Sequence, residues 1–402
     1  MSGRTSLQPA TDQIRNQVIG WRRHLHRHPE LSFEEIETSR FVRETLESFP
    51  GLEISNPTPT SVMARLAGNK PGKTLAIRAD MDALPITEEN DFEFRSIHPG
   101  KMHACGHDGH TAILLGAASV LSGLKDEIPG EIRFIFQHGE EQLPGGADEM
   151  VRAGVMDGVD AVIGAHLWSP IETGNVFTKA GPLMAAADIF RIQIRGQGGH
   201  SAVPHETIDA LAVGTQVVNN LQHILSRQTD PFESLVVSVT KFTAGTSHSI
   251  IPDTAEIVGS VRSFNEGIRR QVPAQMERII GGVTAAHGAT YELDYEYGYS
   301  PVLNDEAVTR MMEETVREVL GEEHLLRMNP MMISEDFSRY QKEAPGCFFL
   351  IGAGNQEKGI VWPHHHPKFT IDEESLDIGV RLFVDAALRI LGCRTGEAAI
   401  IK

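Results

Sequence analysis

Within KMHACGHDGHT (101–111), Cys105 and His107 stand two residues apart in a glycine-containing turn just before the apolar helical stretch TAILLGAASVLSGL (111–124). A thiolate and an imidazole so placed can grip one borderline-soft cation. Taken alone, the pair reads rather as a buried cysteine beside polar residues that cap a helix start. FQHGEE (136–141) supplies two adjacent carboxylates, Glu140 and Glu141. Metal-assisted hydrolysis can divide labour between such a pair, one binding a cation while the other takes a proton from water. His166, in GAHLW (164–168), follows an apolar run; in isolation it reads as a hydrogen-bonded core histidine. WPHHHPKF (362–369) sets His364, His365 and His366 between two prolines. Alone, that segment is a surface loop with adventitious metal affinity, and the chemistry follows only if these remote segments converge.

The elements that would bring them together show in the hydrophobic pattern. Apolar segments SVMARLAG (61–68), TLAIRAD (74–80), EIRFIFQ (131–137) and AVIGAHL (161–167) read as strands. Helical stretches lie around them: Asp12 to about His28, with Ile14, Val18, Trp21 and Leu25 in register; SFEEIETSRFVRETLESF (32–49); and the segment 111–124. The alternation predicts an α/β sheet covered by helices. Ligands of such sheets gather beyond the carboxyl ends of the strands. There TLAIRA runs into Asp80 and Asp82, EIRFIFQ into His138 through Glu141, and AVIGA into His166.

Near residue 185 the texture changes. Asp188 to Arg195 alternates Phe190, Ile192 and Ile194 with Arg191, Gln193 and Arg195, the pattern of a strand wet on one face. A helix with Ile208, Leu211, Val218, Leu221 and Leu225 on one face follows, then strands 235–242 and 254–262, a helix over 267–288 and a strand over 290–297. The order β-α-β-β-α-β predicts a ferredoxin-like unit. The α/β texture resumes afterwards with AVTRMMEETVREVL, CFFLIGAG and ESLDIGVRLFVDAALRIL. The expected division is a large domain of residues 1–184 and 298–402, with a smaller one, 185–297, inserted.

Composition narrows the partners. Against 36 Lys and Arg stand 54 Asp and Glu, a formal charge of −18, and a field of that sign repels nucleic acid and anionic lipid. Cys105, Cys347 and Cys393 are odd in number and lack CxxC spacing, which predicts free thiols and a reducing cytoplasm. No apolar run is long enough to cross a membrane.

Nine segments together resemble the metal-dependent amidohydrolase and carboxypeptidase family that includes hippurate hydrolase, aminoacylases and indole-acetyl-amino-acid hydrolases. They are RRHLHRHPELSFEE (22–35), RADMDALPI (78–86), MHACGHDGHTAILLG (102–116), FQHGEE, GAHLW, GQGGHSAVPH (196–205), IIPDTAEIVGSVRSF (250–264), SEDF (334–337) and HHPKF (365–369). The resemblance implies a large mixed-sheet catalytic domain with helices on both faces and an inserted ferredoxin-like lid and dimerisation domain. It implies Cys105, His107, Glu141, His166 and His365 as ligands of two divalent ions (zinc, manganese, cobalt or nickel), Pro367 selecting His365 by its place two residues ahead. Glu140 is then the general base, His200 a donor to the oxyanion and substrate, and Arg262 a fork for a substrate carboxylate. Two departures stand out: the family's HxD reads Asp80-Met81-Asp82 here, leaving both aspartates outside the ligand set, and Ser249 stands where relatives often carry Asn. The activity implied is hydrolysis of an N-acyl amino acid by a homodimer or homotetramer. A dipeptidase, a deacetylase of an acetylated diamino acid, or a non-catalytic binding homologue are the competing readings.

Overall fold

The computed structural model describes residues Gln8–Cys393. In chain order the principal elements are α1 (Gln8–Arg27), α2 (Ile36–Glu47), β1 (Glu53–Ser55), β2 (Val62–Ala67), β3 (Lys70–Asp80), α3 (His107–Gly123), β4 (Pro129–Gln137), α4 (Gly146–Arg152), β5 (Ala161–Glu172), β6 (Val176–Phe177), β7 (Ala186–Arg195), α5 (Ala210–His223), β8 (Leu235–Ala244), β9 (Thr254–Ser263), α6 (Glu266–His287), β10 (Thr290–Tyr297), α7 (Glu306–Val319), β11 (Leu325–Leu326), β12 (Gly346–Gly354) and α8 (Glu374–Ile390). They fall into two compact units. One runs to Leu183 and takes up Leu303–Asn329 and the chain from Asp336; the other is Met184–Val302 with Pro330–Glu335.

The first unit is built on an eight-stranded sheet in the order β1-β2-β4-β3-β5-β12-β6-β11. The central strands β4, β3, β5 and β12 run parallel, while β1, β2 and β6 introduce antiparallel pairings, so the sheet is mixed. Strand β12 is buried along its whole length. Its Phe348 packs on Phe337 of the 3-10 turn Asp336–Lys342, with ring centroids 4.9 Å apart, whereas the next residue, Phe349, meets Phe383 of α8 at 5.7 Å. Successive strand residues point to opposite faces, so helical elements cover both sides. Burying each such ring contributes roughly 1.5–3 kcal/mol.

Register sets the rim. Asp80 ends β3 opposite Gln137 at the end of β4, and Arg78 is level with Gly164 of β5. Two residues further along these parallel strands, Asp80 and His166 stand at one height, as expected for the carboxyl edge of the sheet.

The second unit is a four-stranded antiparallel sheet in the order β8-β9-β7-β10. Counted by appearance that is 2-3-1-4, the ferredoxin-like order. Phe190, Ile192 and Ile194 of β7 enter its core with Val213, Val217 and Leu221 of α5 and Val272, Met276 and Ile280 of α6. Leu211, expected on the apolar face of α5, is instead exposed: Ala210, Val213, Gly214, Val217 and Leu221 form the buried stripe, and Asp209 caps the helix by accepting from the Leu211 and Ala212 N–H groups. The short segment Pro330–Glu335 joins this unit through the carbonyls of Met331 and Ile333, which accept the Ala185 N–H at 3.1 and 2.9 Å.

Candidate metal centre

Gly106 sits at φ +95°, and its carbonyl accepts the N–H groups of Gly109 and His110. The helix consequently starts at His107, four residues before the apolar stretch from which it was read, and it presents His107 from its first turn. His107 Nδ1 lies 3.1 Å from Asp82 Oδ1, while Nε2 is buried with no hydrogen-bond partner among the described residues. A carboxylate on one ring nitrogen and an open lone pair on the other is the arrangement of a metal-ligating imidazole. Burial opposes charge on this ring, but Asp80, Asp82 and Glu141 outweigh it and push its pKa up to about 10. Without a cation, a proton takes the position; cation binding would displace it.

Two further donors meet at Cys105. Its Sγ lies 3.5 Å from His166 Nε2, and the ligand atoms of Cys105, His107 and His166 all lie within 4.8 Å of one another. His166 Nδ1 donates to the Leu167 carbonyl at 2.8 Å, which leaves Nε2 as the lone-pair nitrogen. Burial holds this imidazole well below its ordinary pKa, with His110 and His364 adding to the effect. Burial likewise pushes the Cys105 thiol up, followed by the charges of Glu141 and Glu140; a cation reverses that balance.

Cys105, Glu141 and His365 form a second group within the same 4.8 Å limit, and His107, Glu140 and Glu141 a third. His365 Nε2 is 3.1 Å from Glu141 Oε1. The His365 backbone is left-handed, φ +64°, and its N–H donates to the Ala104 carbonyl at 2.8 Å. That conformation is costly for a residue with a side chain and persists where surrounding structure holds it. The five expected ligands and Glu140 therefore converge. His364 and His366 turn elsewhere: His364 stacks on Trp168 at 4.3 Å and His366 on Trp362 at 4.2 Å.

Both aspartates sit behind the donors. Asp80 accepts from His110 Nδ1 and Arg78 Nη1, each at 2.6 Å, and Asp82 Oδ2 accepts from Ser32 Oγ at 2.6 Å and the Glu141 N–H at 3.0 Å. Deeper still, Arg78 Nη2 reaches Asp336 at 2.7 Å, and Gln137 bridges Arg78, Asp336 and Tyr340. Sequence reading missed this support and the Glu35 carboxylate, which accepts the Gly139 N–H at 2.7 Å beside Glu140. The charged Arg78 inside an apolar strand was the available signal for the first; Glu35 offered none.

In the second unit, His200 is exposed and paired with Ile250 across a two-residue ladder; its Nδ1 accepts the Ala202 N–H at 3.0 Å, which leaves Nε2 as the proton-bearing nitrogen. Arg262 donates to Ser334 Oγ at 3.1 Å.

Thiol, imidazoles and paired carboxylates at the rim of a mixed α/β sheet define a metal-dependent hydrolase. The chain belongs to the peptidase family M20/M25/M40, whose model matches residues 76–389. It is 62% identical over 314 residues to an N-acyl-L-amino acid amidohydrolase of Geobacillus stearothermophilus, covering 78% of this chain and 85% of that enzyme. It is 43% identical over 377 residues to thermostable carboxypeptidase 2 of Saccharolobus solfataricus, covering 93% and 95%. Among solved structures it is similar to the YXEP protein of Bacillus subtilis, described as a dinuclear metal-binding peptidase of the M20 family, with a TM-score of 0.83, 36% identity and coverage of 95% and 100%. The kinship read from the sequence motifs holds.

Proposed function

We propose that this protein is a metal-dependent amidohydrolase that cleaves N-acyl amino acids to a carboxylic acid and a free amino acid. The observation that carries the reading is the buried Nε2 of His107, without a hydrogen-bond partner among the described residues, on a ring grouped with the Cys105 thiol, the His166 imidazole and the carboxylates of Glu140 and Glu141. Cys105, His107, Glu141, His166 and His365 hold two divalent cations, and this mixed donor set suits zinc, manganese, cobalt or nickel. Five donors exceed the three that one catalytic ion takes with an open position. Bound there, such a pair would polarise the amide carbonyl and acidify the attacking water.

Glu140 takes the proton of the water whose oxygen attacks the carbonyl carbon, and returns it to the nitrogen as the C–N bond breaks. From the family resemblance we assign His200, whose Nε2 bears the proton because Nδ1 accepts the Ala202 N–H, as donor to the oxyanion and Arg262 as partner of the substrate carboxylate. The inserted unit serves as lid and dimerisation surface in a homodimer or homotetramer. No helix among the described residues is long and apolar enough to cross a membrane. Three free cysteines, one of them needed as a ligand, support a cytoplasmic location.

Elemental analysis and one acyl-series assay test the reading. Glu140→Ala is expected to keep two ions per chain and lose nearly all turnover, whereas Cys105→Ala loses metal as well. Wild-type turnover by Glu140→Ala would refute the assignment. Comparing benzoyl, acetyl and dipeptide substrates on one preparation separates this activity from dipeptidase and deacetylase activity.

A further inference from the structure

Leu167, the residue after His166, is fully buried, and both of its backbone polar groups are gripped. At one end its N–H donates to His110 Nε2 at 2.8 Å. A backbone N–H can only donate, so His110 carries its proton on Nδ1, which it gives to Asp80 Oδ1. At the other end the Leu167 carbonyl lies 2.8 Å from His166 Nδ1 and 2.9 Å from His364 Nε2. A carbonyl can only accept, so both of those nitrogens carry protons. His364 is held over this carbonyl by its stack on Trp168, and its other nitrogen, Nδ1, is buried without a partner among the described residues.

We infer that His364 is a positioning residue for His166: by sharing the Leu167 carbonyl and stacking on Trp168 it fixes the peptide that sets the tautomer and direction of the His166 ring. The inference rests on the reading of His166 as a metal ligand. A carbonyl free to swing would let the His166 ring rotate about Cα–Cβ and turn Nε2 away from Cys105 Sγ, 3.5 Å distant. The His110 and Asp80 pair locks the preceding peptide through the Leu167 N–H, so His364, on the carbonyl of the following peptide, completes the clamp from the loop that also carries His365. Three residues adjacent in sequence thus do different work: His365 faces the site, His364 orients a ligand on another strand, and His366 stacks on Trp362.

Titrating metal-free protein with Co²⁺ against a chelator, with the visible spectrum recorded, tests this without turnover. His364→Phe keeps a ring on Trp168 and removes the donor; it is expected to weaken binding of one ion by about 10- to 100-fold, the usual effect of losing such a partner, and to alter the spectrum. His364→Gln, which restores an N–H near the position of Nε2, is expected to recover most of the affinity. His364→Met reads the same quantity if the phenylalanine variant does not fold. Wild-type affinity and spectrum in the variants lacking the donor overturn the inference, as does a glutamine variant no better than phenylalanine. His166→Ala is the control: if it binds both ions as the wild type does, the ligand assignment fails, and the positioning role falls with it. If it loses an ion while His364→Phe does not, only the positioning role fails.

Discussion

The carboxylate of Glu35 accepts the backbone N–H of Gly139 at 2.7 Å, tying the chain just ahead of α2 to the residue before Glu140. The same oxygen also accepts the Phe33 N–H at 3.0 Å, while Oε2 is buried without a partner among the described residues. Burial first, and then the charge of Asp82, push the Glu35 pKa from 4.5 up to about 7. The fold therefore favours the protonated acid. That stability is fully present below the ordinary carboxyl pKa and is lost as pH rises through about 7. Urea melts of metal-free protein should show Glu35→Gln more stable than wild type at pH 8, by up to ~3 kcal/mol, with the difference gone at pH 4. A pH-independent difference would be wrong for this linkage.

Gly139 itself has φ +59°, and a Cβ there would come within 2.8–3.0 Å of three carbons of the Phe33 ring. Gly139→Ala should cost about 2 kcal/mol and lower kcat by moving Glu140. Adding Phe33→Leu should relieve the clash but not the backbone conformation, so thermal melts of the double variant should recover only part of the loss.

Asp82 holds His107 through Nδ1 and the Glu141 N–H through its other oxygen. Asp82→Ala should weaken metal binding by about 10- to 100-fold while Asp82→Asn, which keeps an acceptor, loses less. Equal affinities in competition titrations with a chelator would show that neither bond matters to the site.

His103 is almost fully buried, and neither ring nitrogen has a partner among the described residues. Burial lowers its pKa from 6.5 to about 4, against the pull of Asp108. Its contribution is present above the ordinary imidazole pKa and is lost as pH falls through about 4. His103→Leu removes both unsatisfied nitrogens and should resist acid unfolding better than the wild type, by up to ~3 kcal/mol near pH 3. Identical acid transitions would count against the buried neutral ring.

The legible part of this protein was the part written in periodicity and local spacing. The β-α-β-β-α-β order and the strands that end at Asp80 and just ahead of Glu140 could be read because each depends on a short window, whereas the strand expected over 161–167 runs on to Glu172 and holds His166 in its middle. What failed was local geometry without a window signature: the start of α3 at His107 depends on the left-handed Gly106, and the exposure of Leu211 on how α5 rolls on its sheet. The Arg78, Gln137, Asp336 and Tyr340 network was invisible because its members are scattered and meet only through tertiary packing. Motif kinship supplied the ligand set; it gave no hint of Glu35 or of the Leu167 clamp.

Strand β10 lies at one margin of the second unit's sheet and exposes Glu292, Asp294 and Glu296 in alternation. A second molecule adding its own β10 in register would set these anions opposite their like, an arrangement that repels. The margin thus discourages fibre growth, and concentrated salt, which screens such charges, is the condition under which that protection weakens.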